Sequence, residues 1–374
     1  MYLESIELTN YRNYDSLKLS FSHSINIFLG ENAQGKTNLL EAIYVLALAK
    51  SARTNHDKDL IKWDQDYGKI KGRVVKRGHS LPLELIVSKK GKKARANHLE
   101  QRRLSDYIGY CNAVMFAPED LGLVKGGPAL RRRFIDMELG QIAPIYIHHL
   151  SHYQKVLQQR NALLRQYGRQ KKDIRPFLDV LTEKLFTLAA EIVSRRLRFI
   201  RQLNTWSGPI HEEISQGREK LVLSYQSDVR EVLECPDTSK IVEAYQNSYE
   251  KLSNRELERG TTLIGPHRDD LQFIVNGYDV QTFGSQGQQR TAALSVKLAE
   301  IELIKSEVGD YPILLLDDVL SELDDRRQTQ LIAAFKDKVQ TFVTTTSTDG
   351  LDEQLINRAT VFQIAQGTAA RLED

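Results

Sequence analysis

Short stretches at the start of the chain alternate between apolar and polar side chains. A period of two residues is typical of strands with one buried face. The pattern predicts strands over Leu3–Leu8, Leu17–Phe21, Ile25–Leu29, Ile70–Val75 and Leu83–Val87. After the third strand, helical spacing begins with Leu40, Ile43, Ala47 and Leu48. This part of the chain is therefore predicted to be α/β.

The middle of the chain, from residue 145 to residue 255, has apolar positions at spacings of three and four, which predicts long helices. Arg160 interrupts the apolar positions of the first predicted helix. The second predicted helix is expected to end near Gly208-Pro209. The two stripes are Leu150, Tyr153, Leu157, Leu164, Tyr167 and Phe177, Leu181, Leu185, Leu188, Ile192. A third helix is predicted through Ile241, Tyr245 and Tyr249, so this segment forms a helical arm.

After Gly260 the α/β pattern resumes, with strands predicted over Leu271–Val275, Val280–Phe283, Ile313–Leu316 and Gln340–Thr345. The run Ile313–Leu316 is continuously apolar and ends in acids, which is typical of a parallel strand buried on both faces. The α/β domain is therefore discontinuous. We expect its N-terminal part over residues 1–120, an inserted helical arm over 121–258, and its C-terminal part over 259–374.

Length and composition agree with two lobes, since 374 residues exceed the roughly 250–300 at which a single core usually divides. No stretch reaches the ~18 consecutive apolar residues of a membrane span. The two cysteines, Cys111 and Cys235, form no C-x-x-C pair and fit a reducing compartment. We expect a soluble, cytoplasmic protein with no membrane association.

Basic residues are concentrated locally, although the net charge is only +3. Such clusters suit the phosphate backbone of DNA, and solvated surfaces are the alternative interpretation. For the arginines that open the arm, internal ion pairing is a further alternative. The candidate DNA-binding residues are Lys89, Lys90, Lys92, Lys93, Arg131 and Arg132.

A phosphate-binding loop of the form G-x-x-x-x-G-K-[ST] lies between the third predicted strand and the helix that follows. Its residues are Gly30-Glu31-Asn32-Ala33-Gln34-Gly35-Lys36-Thr37. In this setting the loop amides and the helix N-terminus point at phosphate oxygens. Lys36 would reach the β and γ phosphates, and Thr37 would hold Mg²⁺. The loop predicts binding of a nucleoside triphosphate.

Two adjacent acids, Asp317 and Asp318, end the apolar run at Leu316. A phosphate-loop ATPase needs an acid at such a strand end to hold Mg²⁺ through water or Thr37, and we assign this to Asp317. Asp318 would polarise the attacking water. Lys36 and Asp318 are thus the candidate catalytic residues.

A second anion site is predicted at the start of a helix, where Ser285, Gly287 and Gln288 precede an apolar-periodic segment. One nucleotide does not need two phosphate sites on one chain. We therefore predict that these residues contact, in trans, the γ-phosphate held by the phosphate loop of another subunit. An ordinary helix cap at Ser285 is the alternative.

Together, these motifs resemble an ABC-type ATPase head of the kind found in SMC and Rad50 proteins, and Ser321-Glu322-Leu323-Asp324 adds to the likeness. The whole chain resembles more closely the bacterial RecF family of recombination mediators. That resemblance is carried, in order, by Asn10–Tyr14, Gly30–Asn38, Met115–Leu121, Gly265–Asp270 and Gly284–Arg290.

The resemblance implies an α/β P-loop ABC-type ATPase head with an inserted helical arm lobe, and ATP with Mg²⁺ as cofactors. It also implies an ATP-dependent homodimer that holds double-stranded DNA, with slow, DNA-stimulated hydrolysis that reopens the clamp. RecR, acting with RecO, would be the partner, and RecA loading the outcome. Asn38 would join the nucleotide contacts. Arg12 resembles the N-terminal basic residue that contacts nucleotide in related heads. The alternative interpretation is that Arg12 is an ordinary exposed arginine of a loop.

Three other classes fit less well. A tethering ATPase of the SMC or Rad50 type would call for a far longer coiled coil, and for Rad50 a cysteine hook. A transporter ATPase subunit would have its motifs within one compact domain, whereas Lys36 and Asp317 here flank the arm. A P-loop kinase fits only the phosphate loop.

Overall fold

The computed structural model describes residues 1–170, 175–235, 237–319, 338–347 and 358–372, together with positions 328, 331 and 356. The chain forms two compact units, residues 1–120 with 296–374, and residues 121–295. The second unit extends beyond position 258, where the hydrophobic pattern predicts a boundary. The reason is that the strand at 270–275 pairs with the strand at 221–226, which keeps both in this unit.

An antiparallel sheet forms part of the first unit. Its six described strands are β1 (Tyr2–Tyr11), β2 (Tyr14–Ser20), β4 (Tyr67–Lys76), β5 (His79–Ser88), β6 (Gly91–Ala96) and β7 (Leu99–Glu100). They are arranged in the order β2-β1-β4-β5-β6-β7. The strands predicted near residues 3–8, 17–21, 70–75 and 83–87 all belong to this sheet.

A second sheet of the first unit contains the buried parallel strands. Its six described strands are β3 (Ile25–Leu29), β8 (Ala113–Phe116), β12 (Ile313–Asp317), β13 (Thr341–Thr345), β14 (Ala359–Ala365) and β15 (Thr368–Arg371). Their order is β15-β14-β3-β13-β12-β8, and all adjacent pairs are parallel except β14 and β15. Ile313 to Leu316 are each 0% exposed, as a continuously apolar run predicts.

Helix α1 (Lys36–Leu48) starts directly after the phosphate loop and contacts strands of both sheets. It is apolar on most sides because it is buried on most sides. Among the described residues the first unit also has the short helix α2 (Leu104–Tyr107) and single turns at Asp57–Leu60 and Pro118–Asp120.

The second unit is mainly helical. Its helices are α3 (Leu121–Lys125), α4 (Pro128–Ile142), α5 (Pro144–Gln170), α6 (Arg175–Ile214), α7 (Thr238–Arg259) and α8 (Val280–Phe283), with a turn at Arg230–Leu233. A small sheet has the order β11-β10-β9, from β9 (Leu221–Gln226), β10 (Asp270–Val275) and β11 (Tyr278–Asp279). Helix α9 (Gln286–Val308) contains the division between the units. No helix within the described ranges is long and apolar enough to cross a membrane.

Two local predictions are wrong. Helix α6 continues through Pro209 to Ile214, because Ser207, His211 and Ile214 are buried and packing outweighs the missing proline N–H. The segment Val280–Phe283 is a helical turn and not a strand. The Asp279 carboxylate caps this turn by accepting the backbone N–H of Gln281 at 3.0 Å.

Arg160 explains the interruption in the apolar stripe of α5. It is 0% exposed, and its guanidinium donates to Thr182 Oγ1 at 2.9 Å, Thr262 Oγ1 at 2.7 Å and Glu256 Oε2 at 2.6 Å. Glu256 is also 0% exposed. One buried arginine therefore joins α5 to α6, to α7 and to the segment after α7.

Replacing Arg160 is expected to destabilise the second unit. The variant Arg160→Ala leaves the Glu256 carboxylate buried without its cation, which should cost about 3–5 kcal/mol in free energy of unfolding. Urea unfolding followed by far-ultraviolet circular dichroism measures the change. Arg165→Ala, an exposed arginine on the same helix, is the control and should change stability by less than about 0.5 kcal/mol. Equal effects of the two substitutions would contradict the assignment.

Candidate nucleotide site

The phosphate loop follows β3 and is held in shape by neighbouring backbone and side chains. Gly35 has a φ of 118°, in the region that favours glycine. A Cβ there would meet Asn13 Nδ2 at 2.6 Å and Tyr14 Oη at 2.9 Å. Asn13 Nδ2 donates to Gln34 O at 3.1 Å, and the Tyr14 hydroxyl donates to Gly35 O at 3.0 Å. The turn between β1 and β2 therefore supports the loop.

Lys36 is 7% exposed and directs its ammonium into the loop. Its Nζ donates to Gly30 O at 2.5 Å and to Glu31 O at 2.9 Å. Burial lowers the pKa of Lys36, while the charges of Asp318 and Asp317 oppose this shift. The amine thus stands among the groups of the loop that would surround a phosphate.

Asp317 ends β12 beside the start of α1. Its Oδ1 accepts the hydroxyl of Thr37 at 2.9 Å and that of Thr344 at 2.8 Å. Burial raises the pKa of Asp317, and the hydrogen bonds from Thr344 and Thr37 oppose this shift. Thr37 and Asp317, predicted as the Mg²⁺ ligands, are therefore in contact. Their hydroxyl and carboxylate oxygens are the hard donors that Mg²⁺ prefers.

Asp318 follows with a φ of 53°, a left-handed conformation that is uncommon outside glycine. Its backbone N–H donates to Thr344 Oγ1 at 2.9 Å. The same threonine hydroxyl thus contacts both acids. Ser321 to Asp324, which contributed to the resemblance, lie outside the described residues.

Arg12 contacts protein groups at each of its guanidinium nitrogens. Nε and Nη2 donate to the Glu41 carboxylate at 2.8 and 2.9 Å, and Nη1 donates to Asp59 O at 2.8 Å. Glu41 is 0% exposed on α1. The pairing ties the turn after β1 to α1, and nucleotide contact by Arg12 stays a prediction. Asn38, also predicted to contact nucleotide, donates from Nδ2 to Asn13 Oδ1 at 2.9 Å.

The signature segment, Ser285–Gln288, lies in the second unit at the start of α9. The Ser285 hydroxyl accepts the backbone N–H of Gln288 at 3.2 Å, and Gln288 Oε1 accepts the backbone N–H of Ser285 at 2.8 Å. This reciprocal pattern is a capping box. Ser285 is exposed, and Gly287 and Gln288 are partly exposed. Ser285 therefore acts as the helix cap that the alternative interpretation predicts. The signature segment is also exposed enough to be accessible to another molecule.

The candidate DNA-binding residues separate into exposed and buried groups. Lys89, Lys90 and Lys93 are exposed. The Lys92 side chain is 7% exposed and donates to Ala49 O at 2.7 Å, so it does not suit a DNA contact.

Arg131 is 3% exposed and forms a bidentate pair with the Asp270 carboxylate at 2.7 and 2.8 Å. Arg132 donates to Asp269 O at 2.7 Å. Arg131 therefore forms an internal ion pair, which is the alternative to DNA contact that the sequence leaves open. The structure thus gives no support to Lys92 and Arg131 as DNA contacts.

Sequence patterns miss three parts of this site. Thr344 is opposite Asp317 in the parallel register, and nothing in its local sequence signals that contact. Asn13 and Tyr14 belong to the segment Asn10–Tyr14 that carries the family resemblance, but nothing in that segment signals their contacts with the phosphate loop. Glu41 has a readable signal, because an acid within an apolar helix needs a buried partner.

The fold and these contacts define a class of protein. A strand, phosphate loop and helix are joined by the hydrogen bond from Thr37 to Asp317, an acid at the end of another parallel strand of the same sheet, within a head formed from both ends of the chain. This is the architecture of a P-loop ATPase head of the ABC type, as the sequence predicts.

Comparison with known proteins identifies the family. Residues 2–369 match the family model for the RecF/RecN/SMC N terminal domain. The DNA replication and repair protein RecF of Geobacillus thermodenitrificans is 62% identical over 370 residues, which cover 99% of both chains. The same-named protein of Bacillus subtilis strain 168 is 57% identical over 99% of this chain and 100% of its own. The chain belongs to the RecF family.

Solved structures agree with this assignment. The structure of the recombination mediator protein RecF-ATP in the RecFOR pathway has a TM-score of 0.92 and 34% identity, covering 100% of this chain and 98% of that one. An SmcHead bound to the C-winged helix domain of ScpA has a TM-score of 0.56 at 16% identity, with 100% and 97% coverage. The second likeness shows a shared fold alone. The predicted fold class and family are confirmed.

Filling the space at Gly35 is expected to impair nucleotide binding. Gly35→Ala forces a left-handed alanine, which costs about 1–2 kcal/mol, and directs its methyl group against Asn13 and Tyr14. The affinity for a fluorescent ATP analogue should fall at least about tenfold.

The control variant for this prediction is Gly78→Ala. That glycine has a φ of 79° with nothing within 4 Å of its Cβ, so it bears the backbone strain without the clash. Its nucleotide affinity should match that of the unmodified chain. An equal loss of affinity in both variants would argue against a specific role of the Gly35 contacts.

Proposed function

We propose that this chain is an ATP-dependent DNA-binding recombination mediator in which nucleotide controls dimerisation and residence on DNA. The observation that carries the proposal is that the Asp317 carboxylate accepts hydrogen bonds from Thr37 and Thr344 and interacts electrostatically with the ammonium of Lys36. A lysine, a hydroxyl and a carboxylate are the groups that a phosphate-loop ATPase uses to bind ATP with Mg²⁺, and their proximity here supports the proposal.

In the proposed site, Lys36 leaves its loop carbonyls to contact the β and γ phosphates, while loop amides and the start of α1 bind phosphate oxygens. When bound, Mg²⁺ supplies positive charge that neutralises the β and γ oxygens. Thr37 Oγ1 and Asp317 would hold the ion, and Asp318 would orient the attacking water. A solved relative described as RecF-ATP supports the choice of nucleotide.

The site is proposed to be complete only in a homodimer. Ser285, Gly287 and Gln288 are at least partly exposed, and their helix N-terminus offers amides and a positive dipole end to a γ-phosphate. Each nucleotide would lie between the phosphate loop of one subunit and the signature segment of the other. ATP binding would therefore close the dimer, and slow hydrolysis would reopen it.

The closed dimer is proposed to hold double-stranded DNA, and its partner to be RecR acting with RecO, with RecA loading as the outcome. Support comes from the names of the relatives, which describe DNA replication and repair and the RecFOR pathway. Lys89, Lys90, Lys93 and Arg132 remain proposed DNA contacts.

The phosphate loop provides the first test. Lys36→Ala should abolish ATP binding, ATP-dependent dimerisation and ATP-dependent DNA retention together, because one side chain serves all three. Asp318→Asn should retain ATP binding and accumulate dimers, because only hydrolysis is impaired. Sedimentation velocity with and without ATP and duplex DNA measures each state.

Lys76→Ala is the matched control for Lys36→Ala. Lys76 is a partly buried lysine of the first unit and, like Lys36, donates from Nζ to a backbone carbonyl, Gly109 O, at 3.1 Å. This variant should keep ATP-dependent dimerisation. Persistence of ATP-dependent dimers in Lys36→Ala would rule out the proposed site.

The in-trans arrangement is tested at Ser285. Ser285→Arg places a bulky cation on the signature segment and should reduce dimerisation and hydrolysis without weakening ATP binding to the monomer. Ser285→Thr, which keeps a capping hydroxyl, is the control and should retain dimerisation. Equilibrium binding of an ATP analogue at protein concentrations below dimerisation measures monomer affinity. A loss of monomer affinity equal to the loss of dimerisation would refute the in-trans placement.

A further inference from the structure

Glu219 bridges two helices of the second unit. It lies in the loop between α6 and β9, and its two carboxylate oxygens have different neighbours. Oε1 accepts Gln288 Nε2 of the signature segment at 3.0 Å. Oε2 lies 3.2 Å from Nε2 of His211, on the last turn of α6. One side chain thus contacts both the start of α9 and the end of the longest described helix.

The contact with Glu219 fixes the orientation of the Gln288 amide. Gln288 Oε1 accepts the backbone N–H of Ser285 at 2.8 Å, and its Nε2 donates to Glu219. An amide oxygen cannot donate, and an amide NH₂ does not accept, so a flipped amide would lose both interactions. Glu219 therefore stabilises the capping box in which Ser285 and Gln288 hold each other.

His211 attaches α6 to a second point on α9. It is 0% exposed, and its Nδ1 lies 3.0 Å from the hydroxyl of Ser295. Residues 288 and 295 are seven positions apart and therefore share one face of the helix. The end of α6 is thus linked to the same face of α9 through Glu219 and through Ser295.

The backbone of Glu219 is also attached to the end of α6. Its N–H donates to Ser215 Oγ at 3.2 Å, and the same hydroxyl lies 3.3 Å from its carbonyl oxygen. The side chain of Glu219 is 21% exposed, so it is more than a solvated surface acid. Helix α6 has 40 residues and a length of about 60 Å, so this loop is attached directly to one end of the longest described helix of the arm.

We propose that Glu219 is a positioning residue for the signature segment. It holds Ser285 and Gln288 in the orientation that receives the triphosphate bound by a second copy of this chain, and it couples that orientation to the arm helix α6. The inference rests on the proposed in-trans site and adds to it the residue that orients its signature half.

Two substitutions at Glu219 distinguish its positioning of the Gln288 amide from the effect of its negative charge. Glu219→Ala releases the Gln288 amide and should reduce ATP-dependent dimerisation about tenfold, as expected for a lost hydrogen bond to a charged group. Glu219→Gln keeps an oxygen that can accept from Gln288 and presents a new amide NH₂, a donor, to the His211 ring, so it should restore dimerisation to within about threefold of the unmodified chain. Glu212→Ala, which removes an exposed acid from the same helix end, is the matched control.

Hydrogen exchange of the nucleotide-free protein tests the positioning directly. The backbone N–H of Ser285 is protected only while Gln288 Oε1 accepts from it. Glu219→Ala should speed exchange in a peptide spanning residues 283–290, whereas Glu219→Gln and Glu212→Ala should not. Unchanged exchange in Glu219→Ala would overturn the inference whether or not the protein dimerises.

A double-mutant cycle with Gln288 tests the route of action. If Glu219 acts through Gln288, Glu219→Ala should have no further effect on ATP-dependent dimerisation in a Gln288→Ala background. A full, additive loss in that background would overturn the inference.

The two proposals can fail separately. If the unmodified chain forms no dimer with ATP, the proposed in-trans function fails, while hydrogen exchange still decides the role of Glu219. If the unmodified chain dimerises and Glu219→Ala behaves as Glu212→Ala does, the inference alone is wrong.

Discussion

The candidate site depends on the hydrogen bonds that the carboxylate of Asp317 accepts. It accepts hydrogen bonds from Thr37, the last residue of the phosphate loop after β3, and from Thr344 on β13, the strand between β3 and β12. The three strands are parallel, so their carboxyl ends meet at one edge of the sheet. Residues 280 positions apart in the chain become neighbours for this reason. The acid is buried, and the two hydroxyls offset part of the cost of keeping it charged.

In the helical unit, buried arginines hold together segments that are distant in the chain. Arg160 joins three segments through Thr182, Thr262 and Glu256. Arg196 on α6 is 1% exposed and donates to Asp136 Oδ1 at 2.8 Å, Tyr146 Oη at 2.9 Å and Pro266 O at 2.7 Å. A guanidinium has five N–H donors in a fixed plane, and each buried donor needs an acceptor. These networks therefore specify how the arm helices pack against the segment after α7, in a way that apolar contacts alone do not.

The signature segment illustrates how a local motif can have two meanings. Its capping box is a complete explanation of Ser285 within one chain, since both the hydroxyl and the Gln288 amide have partners. In the proposed dimer, the same exposed helix N-terminus would offer its positive dipole end to a phosphate held by another subunit. A structural cap and a binding site are thus compatible here. Ser285 is exposed, and the contact between Glu219 and Gln288 orients the amide that completes its cap.

The sequence by itself determined the phosphate loop, the buried strand Ile313–Leu316 with its acids, the helical insertion and the family, because each depends on a local pattern or an ordered set of motifs. It did not determine the helical turn at Val280–Phe283 or the course of α6 through Pro209, where capping and packing outweigh local preference. Only the tertiary structure decided that Thr344 bonds to Asp317, that Arg131 pairs with Asp270, and that Glu219 contacts Gln288. Such contacts join residues distant in the chain, and strand register and helix packing, which no local pattern encodes, bring them together.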